Sequence, residues 1–204
     1  MKRIGIYSLL LVALVILSLT KGFSQNSDYS KLTVSIDPMG FLFFGPALNV
    51  GYSINENTVI KANVRVVSWG LLAYKIRATN DELYKFGGMG YSLGVNRFLD
   101  NVESGIYYGG FLSLDIQNTK YSENSEWAWH EKTTTYGLLA NGGKRFKLGS
   151  KYYVNAGAAL GIGVVRYNWE YDDPSVGIDD PEARKGTSVI PIGGLELAFG
   201  MFLF

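Results

Sequence analysis

Along much of the chain, large apolar side chains return at every second position. Leu48, Val50, Tyr52 and Ile54 alternate with Ala47, Asn49, Gly51 and Ser53, and Ile60, Ala62, Val64 and Val66 with Lys61, Asn63 and Arg65. Met89, Tyr91, Leu93 and Val95 alternate with Gly90, Ser92, Gly94 and Asn96. Longer runs of the same kind extend from Ile106 to Gln117 and from Val154 to Val164. A period of two is the signature of an extended strand, whose successive side chains point to opposite faces. Each segment therefore has one greasy face and one face of glycine, small or polar residues.

The pattern predicts eight strands, at about 31–43, 46–54, 58–72, 86–99, 105–120, 133–148, 151–171 and 188–204. Their connections fall into two kinds. Those at 55–57, 100–104 and 148–150 are short, whereas 73–85, 121–132 and 172–187 are longer and rich in polar residues. A tight connection around Phe44, Gly45 and Pro46 joins the first two strands, and Pro38 interrupts the first strand, where a missing amide donor implies an edge or a bulge.

The face assignment decides the solvent. The arrangement inverts that of a soluble barrel, where large apolar side chains fill the interior and polar ones face water: here the packed face would hold Lys61, Arg65, Asp115 and several asparagines. Unpaired charge is costly away from water, so the polar set needs partners or a wet lumen. The consistent arrangement is an all-β fold, an eight-stranded antiparallel up-and-down transmembrane β-barrel. Its apolar residues face lipid, its polar residues face a narrow interior, and closure leaves no unpaired edge.

Residues 1–24 read as a cleavable helical signal peptide. Lys2 and Arg3 precede an almost unbroken apolar run from Ile4 to Thr20, and Gly22, Phe23 and Ser24 supply the small residues of a cleavage site before Gln25. A short segment at 25–30 would then lead into a barrel over 31–204. The leader holds three of the 19 basic residues and none of the 18 acidic ones, so the remainder carries a net charge of about −2. That balance argues against a nucleic-acid binder, which needs an extensive basic face. The 25 glycines among 204 residues exceed the usual share of about 7% and suit β structure with close-packed strands. An exported chain with no cysteine has no disulfide framework and rests on backbone pairing and burial.

These features together resemble the small eight-stranded outer-membrane barrels, outer-membrane protein X and the transmembrane domain of outer-membrane protein A. The resemblance spans residues 31–204 and is carried by the leader, the alternation, the unequal connections and the aromatic-rich last strand, Leu195 to Phe204. The segment IDPMGFLFFGPALNVGYSI looks like the opening of Bacteroidota barrels. The resemblance implies a location in the outer membrane of a Gram-negative bacterium, with both termini periplasmic. It also implies outer-membrane lipids and lipopolysaccharide as surroundings, periplasmic chaperones and the barrel-assembly machinery as partners, and Phe202 and Phe204 as part of the assembly signal.

Lys61, Arg65, Asp115, Arg145 and Glu196 are the charges expected in the lumen. If Phe202 and Phe204 faced lipid, Glu196 would share their parity, at a cost that only a register change near Gly200 would relieve. The opposite parity turns Leu195, Leu197, Phe199, Met201 and Leu203 outward and lets Glu196 pair with Arg65, Arg145 or Lys61; it is the preferred reading. Such a network serves either a gated narrow pore or a polar plug. The plug is preferred.

The only histidine, His130, sits beside Glu131 on the predicted long connection 121–132. A histidine beside carboxylates is a candidate base, and a lipid-modifying hydrolase using His130 is one alternative. The sequence after it, Glu131, Lys132, Thr133, lacks the His-x-Ser-Asn run of a lipid A deacylase, and one histidine without cysteine lacks the ligand number for zinc. No catalytic, cofactor-binding or metal residue is expected. Trp127 and Trp129 join His130 as a candidate exterior contact for an extracellular ligand. The acidic stretch from Asp172 to Glu182 has no calcium-loop spacing. The reading is a non-enzymatic barrel with an envelope-structural or surface-contact role, the narrow pore for small or hydrophobic solutes being the other alternative.

Overall fold

Short polar turns set the fold by pairing each strand with the next. Asn57 N donates to Asn55 Oδ1 at 3.0 Å, and Asn101 Oδ1 accepts from Glu103 N and Ser104 N at 3.0 and 3.1 Å, so asparagine side chains close two of these turns. Gly149 closes the third, with a φ of 69° that favours glycine. The computed structural model describes residues 30–39, 45–67, 83–121, 129–171 and 185–203. The leader, residues 25–29, Trp127 and Phe204 lie outside the described residues, as do most of the predicted long connections.

Eight antiparallel strands form one closed barrel in chain order. They are β1 (Leu32–Asp37), β2 (Ala47–Asn55), β3 (Thr58–Val66), β4 (Leu83–Phe98), β5 (Gly105–Tyr121), β6 (Trp129–Leu148), β7 (Tyr152–Tyr171) and β8 (Lys185–Phe202). Closure comes from β1 against β8, with Thr33 opposite Phe202 and Ile36 opposite Phe199. The three short turns gather at one end, here the turn end, together with Ser30 and Leu203. Leu203 N donates to Leu32 O at 2.9 Å, which fastens the end of β8 to the start of β1.

The two faces divide as the alternation predicts. Leu93, Leu112, Leu138, Leu160, Val189 and Leu195 stand exposed on the outer wall. Asn49, Ser53, Asn96, Arg145 and Asn155 are buried inside. On β8, Leu195 and Phe199 are exposed while Ala198 and Phe202 are buried. The last strand thus runs in register with Glu196 and Phe202 both inward, and its ladder to β7 continues unshifted from Lys185 to Met201.

Several boundaries differ from the sequence reading. Strand β6 begins at Trp129, so Trp129 and His130 belong to the barrel wall and not to a connection. The ladder from Trp129 opposite Tyr171 onward supplies the backbone partners that extend it. Strand β4 starts at Leu83 and β8 at Lys185, each three residues earlier than predicted. Strand β1 stops at Asp37, directly before Pro38, which has no amide to donate.

The aromatic residues at the turn end need a further correction. Aromatic residues near strand ends suit a membrane interface, which would put Phe98, Tyr107 and Tyr153 on the outer wall with Tyr152 and Phe146. Only Tyr152 and Phe146 are exposed on the outer wall; Phe98, Tyr107 and Tyr153 are buried within the barrel. Glycines opposite Tyr107 and Tyr153 create the room. The ring of Tyr153 lies over Gly200 on the adjacent strand, where a Cβ would meet it at 2.3 Å.

Candidate functional site

The lumen holds the chemistry, and alternation alone delivers it there. Lys61 and Arg65 lie two steps apart on one face of β3, Asp115 on the inward face of β5, Arg145 on β6 and Glu196 on β8. Three elements of polar structure follow from the turn end inwards.

Closest to the turns, Arg145 is buried with 4% of its surface exposed. Its Nε donates to Asn155 Oδ1 at 2.9 Å and its Nη1 to the Val102 carbonyl at 2.5 Å. The guanidinium stacks 4.0 Å from the ring centre of Tyr153 and 4.8 Å from that of Phe98. Tyr107 packs on Phe98 with ring centres 5.4 Å apart, and Phe202 on Tyr153 at 4.9 Å. An arginine can be buried this way because its flat, weakly hydrated group accepts rings above and below while its edge donates.

One layer further in, Glu196 receives donors from three strands. Lys61 Nζ reaches Oε1 at 2.6 Å, Tyr107 Oη donates to Oε2 at 2.9 Å, and Asn155 Nδ2 donates to Oε1 at 3.3 Å. Since β3 and β5 are not neighbours of β8, the Lys61 and Tyr107 bonds cross the lumen, whereas Asn155 reaches Glu196 from the adjacent strand β7. Asn155 also accepts from Arg145, so the two layers form one connected network. Pairs of asparagines continue it: Asn63 Nδ2 donates to Asn49 Oδ1 at 2.8 Å, and Asn141 Nδ2 to Asn96 Oδ1 at 3.0 Å.

The third element lies farther from the turns, where Arg65 Nη2 pairs with Asp115 Oδ1. Gly90 makes room for that pair, since a Cβ there would sit 2.2 Å from the Asp115 carboxylate and 3.1 Å from Arg65 Nε. Among the described residues, Asn49 Nδ2, Arg65 Nε and Asn141 Oδ1 have no hydrogen-bond partner, and polar atoms of this kind are met by water.

The structure therefore brings Lys61, Glu196 and Arg145 into one network and sets Arg65 and Asp115 apart as a second pair. Of the three partners considered for Glu196, the direct one is Lys61, and Arg145 reaches it through Asn155. The sequence reading missed Tyr107 and Asn155. Both lie at positions of inward parity, which was the signal available for them. His130 lies on β6 opposite Lys120 and Glu170, in step with the outward-facing Tyr136 and Leu138, so it stands on the barrel wall away from this network. Among the described residues no cluster of His, Asp and Glu could hold a metal ion.

No protein-family model, curated protein or solved structure gives a match to the chain.

Proposed function

We propose that the chain is a non-enzymatic outer-membrane β-barrel of a Gram-negative bacterium, with an envelope-structural role and exterior surfaces available for contact. The observation that carries this reading is the inversion of the barrel, with an apolar wall outside and a charged, hydrogen-bonded network within. A barrel with water outside would bury the leucines and expose the lysines.

The outer wall has the dimensions the reading requires. On β6 the outward aromatic residues Tyr136 and Phe146 bracket Leu138, Ala140 and Gly142, with Lys144 beside the Phe146 ring at the turn end. The ten steps between them span about 33 Å of strand at roughly 3.3 Å per residue. With strands tilted by about 40°, that becomes about 25 Å of height between the two aromatic positions, close to that of a lipid-facing band. The turn end would face the periplasm with both ends of the barrel chain, as short turns do in such barrels. Assembly would follow the route the sequence resemblance implies, with periplasmic chaperones and the barrel-assembly machinery reading a last strand that includes Phe202 and Phe204.

The interior argues for a plug over a pore. Lys61 and Tyr107 meet Glu196 across the barrel, and Arg145 with its rings fills the lumen at the turn end. An eight-stranded barrel leaves room for little more than such side chains. The deciding experiment is membrane fractionation followed by gel mobility of detergent-extracted protein, boiled and unboiled. Recovery in the outer membrane with a heat-dependent shift supports the reading; a soluble chain with no shift overturns it. Absence of single-channel conductance in planar bilayers supports the plug, and steady conductance overturns that part.

A further inference from the structure

The outer wall is apolar around most of the barrel, yet on three adjacent strands it turns basic at the end away from the turns. Register places Lys132 of β6, Asn168 of β7 and Lys185 of β8 in one cross-strand row. The next row towards the turns is Thr134, Arg166 and Thr187. Both rows share the outward parity of Tyr136, Val164 and Val189, and the three cations are exposed. Together these side chains line a groove of about 500 Å³.

Four features make the groove more than a set of lysines reaching for water. Lys132 and Lys185 flank the same residue of β7 from either side, so their stems start only about 10 Å apart, with Arg166 diagonal to both. Among the described residues no acidic residue lines the groove, and none of the three cations is paired there with a carboxylate. Glu170 stands one row beyond, opposite His130. Like charges gathered on neighbouring strands repel unless an anion sits between them. The hydroxyls of Thr134 and Thr187 add neutral donors beside Arg166, whose guanidinium also lies 5.8 Å from the ring centre of Tyr136. Below the groove the wall continues without interruption into Val164, Val189, Ile162 and Leu138, all apolar and outward. By contrast, the outward cations at the turn end, Arg97 on β4 and Lys144 on β6, lie one row apart across β5, whose outward residues between them, Tyr108 and Ile106, add no third cation.

We propose that this groove binds the phosphate group of a membrane lipid, whose acyl chains lie along the apolar wall beneath it. The proposal rests on the reading that the outer wall faces lipid. A free phosphate would use the same donors but would have no use for the apolar surface that continues from them, and for that reason the lipid is the occupant favoured here.

The test uses the folded mature barrel in detergent, its heat-dependent gel shift verified for each sample, with bound lipid measured by native mass spectrometry. The probes are bisphosphorylated lipid A, the same lipid with both phosphates removed, and inorganic phosphate as competitor. The wild-type protein should retain the phosphorylated lipid and release the dephosphorylated one. The triple variant K132Q/R166Q/K185Q should bind the phosphorylated lipid about a hundredfold more weakly, and the control R97Q/K144Q should match the wild type. Equal retention of both lipids, an unaffected triple variant or an equal loss in the control would overturn the site. Displacement by millimolar inorganic phosphate would overturn the choice of a lipid. Loss of the heat shift in the wild-type protein would instead remove the lipid-facing reading itself, a failure distinct from that of the groove.

Discussion

Lys61 and Glu196 stand 135 positions apart in the chain and meet at 2.6 Å inside the barrel. Both side chains are mostly buried, with 22% and 15% of their surfaces exposed. In such a place a pair is worth little over an apolar replacement, but either charge left alone is expensive. Lys61→Met should therefore destabilise the barrel by about 3 kcal/mol, and Lys61→Met with Glu196→Leu should recover much of that loss. Denaturant unfolding of the four proteins in vesicles, arranged as a double-mutant cycle, measures the coupling. Additive losses would mean that the two groups are independently hydrated.

Arg145 tests whether the turn end of the lumen is dry. Its guanidinium lies against the rings of Tyr153 and Phe98 and donates to Asn155 and the Val102 carbonyl. Lysine keeps the charge but offers neither the planar surface nor two donors at fixed spacing. Arg145→Lys should lower stability by about 2 kcal/mol, measured by the same unfolding transition. A neutral effect would imply that water takes over the lost bonds.

The alternation made this site legible to a definite depth. Parity alone puts Lys61, Arg65, Asp115, Arg145 and Glu196 on the inward face, because a strand offers only two faces. Which of them meet is another matter, since contact across a closed barrel depends on stagger and on who fills the space between. Glu196 had three candidate cations, and the choice of Lys61 follows from three-dimensional position. Tyr107 and Tyr153 were harder still. An aromatic near a strand end suits a membrane interface equally well, and only their parity separated them from Tyr152 and Phe146. His130 was placed on a connection because polar residues such as Glu131 and Lys132 interrupt the apolar signal there. Backbone pairing with β5 and β7 carries the strand through them regardless.

Glu103, in the turn between β4 and β5, gives the fold a dependence on acidity. Partial burial tends to raise its carboxyl, but the ion pair with Lys147 and hydrogen bonds from Ser30 outweigh that and hold it below the usual glutamate range. A carboxylate with a lowered folded value contributes stability that is fully present above its unfolded value of about 4.3, and loses it as pH falls through the folded value. Wild-type protein should therefore lose more stability than Glu103→Gln between about pH 5 and pH 3. Unfolding midpoints across that range measure the difference, and parallel curves would show that the pair adds nothing. Because Ser30 is one of the partners, proteolysis near residue 30 should also be faster in the variant at neutral pH.

The outer wall yields a test that depends on its surroundings and on nothing inside the barrel. Leu160 on β7 and Val189 on β8 are exposed to nearly the same degree, 71% and 68%. In water, arginine at either site would be close to neutral, since an exposed position away from packing tolerates exchange. In a bilayer the two sites differ in depth. Leu160 lies in the middle of the apolar run from Tyr152 to Val164, whereas Val189 pairs with Val164 at its edge, beside the row containing Arg166. Leu160→Arg should then cost about 2–4 kcal/mol and Val189→Arg no more than about 1 kcal/mol, as charge on a lipid face costs most at mid-depth. Folding into lipid vesicles, followed by denaturant titration and by the unboiled gel shift, compares the two directly. Equal and small effects would mean that water bathes the wall at both heights; a large difference between two equally exposed sites has no source but the depth of a membrane.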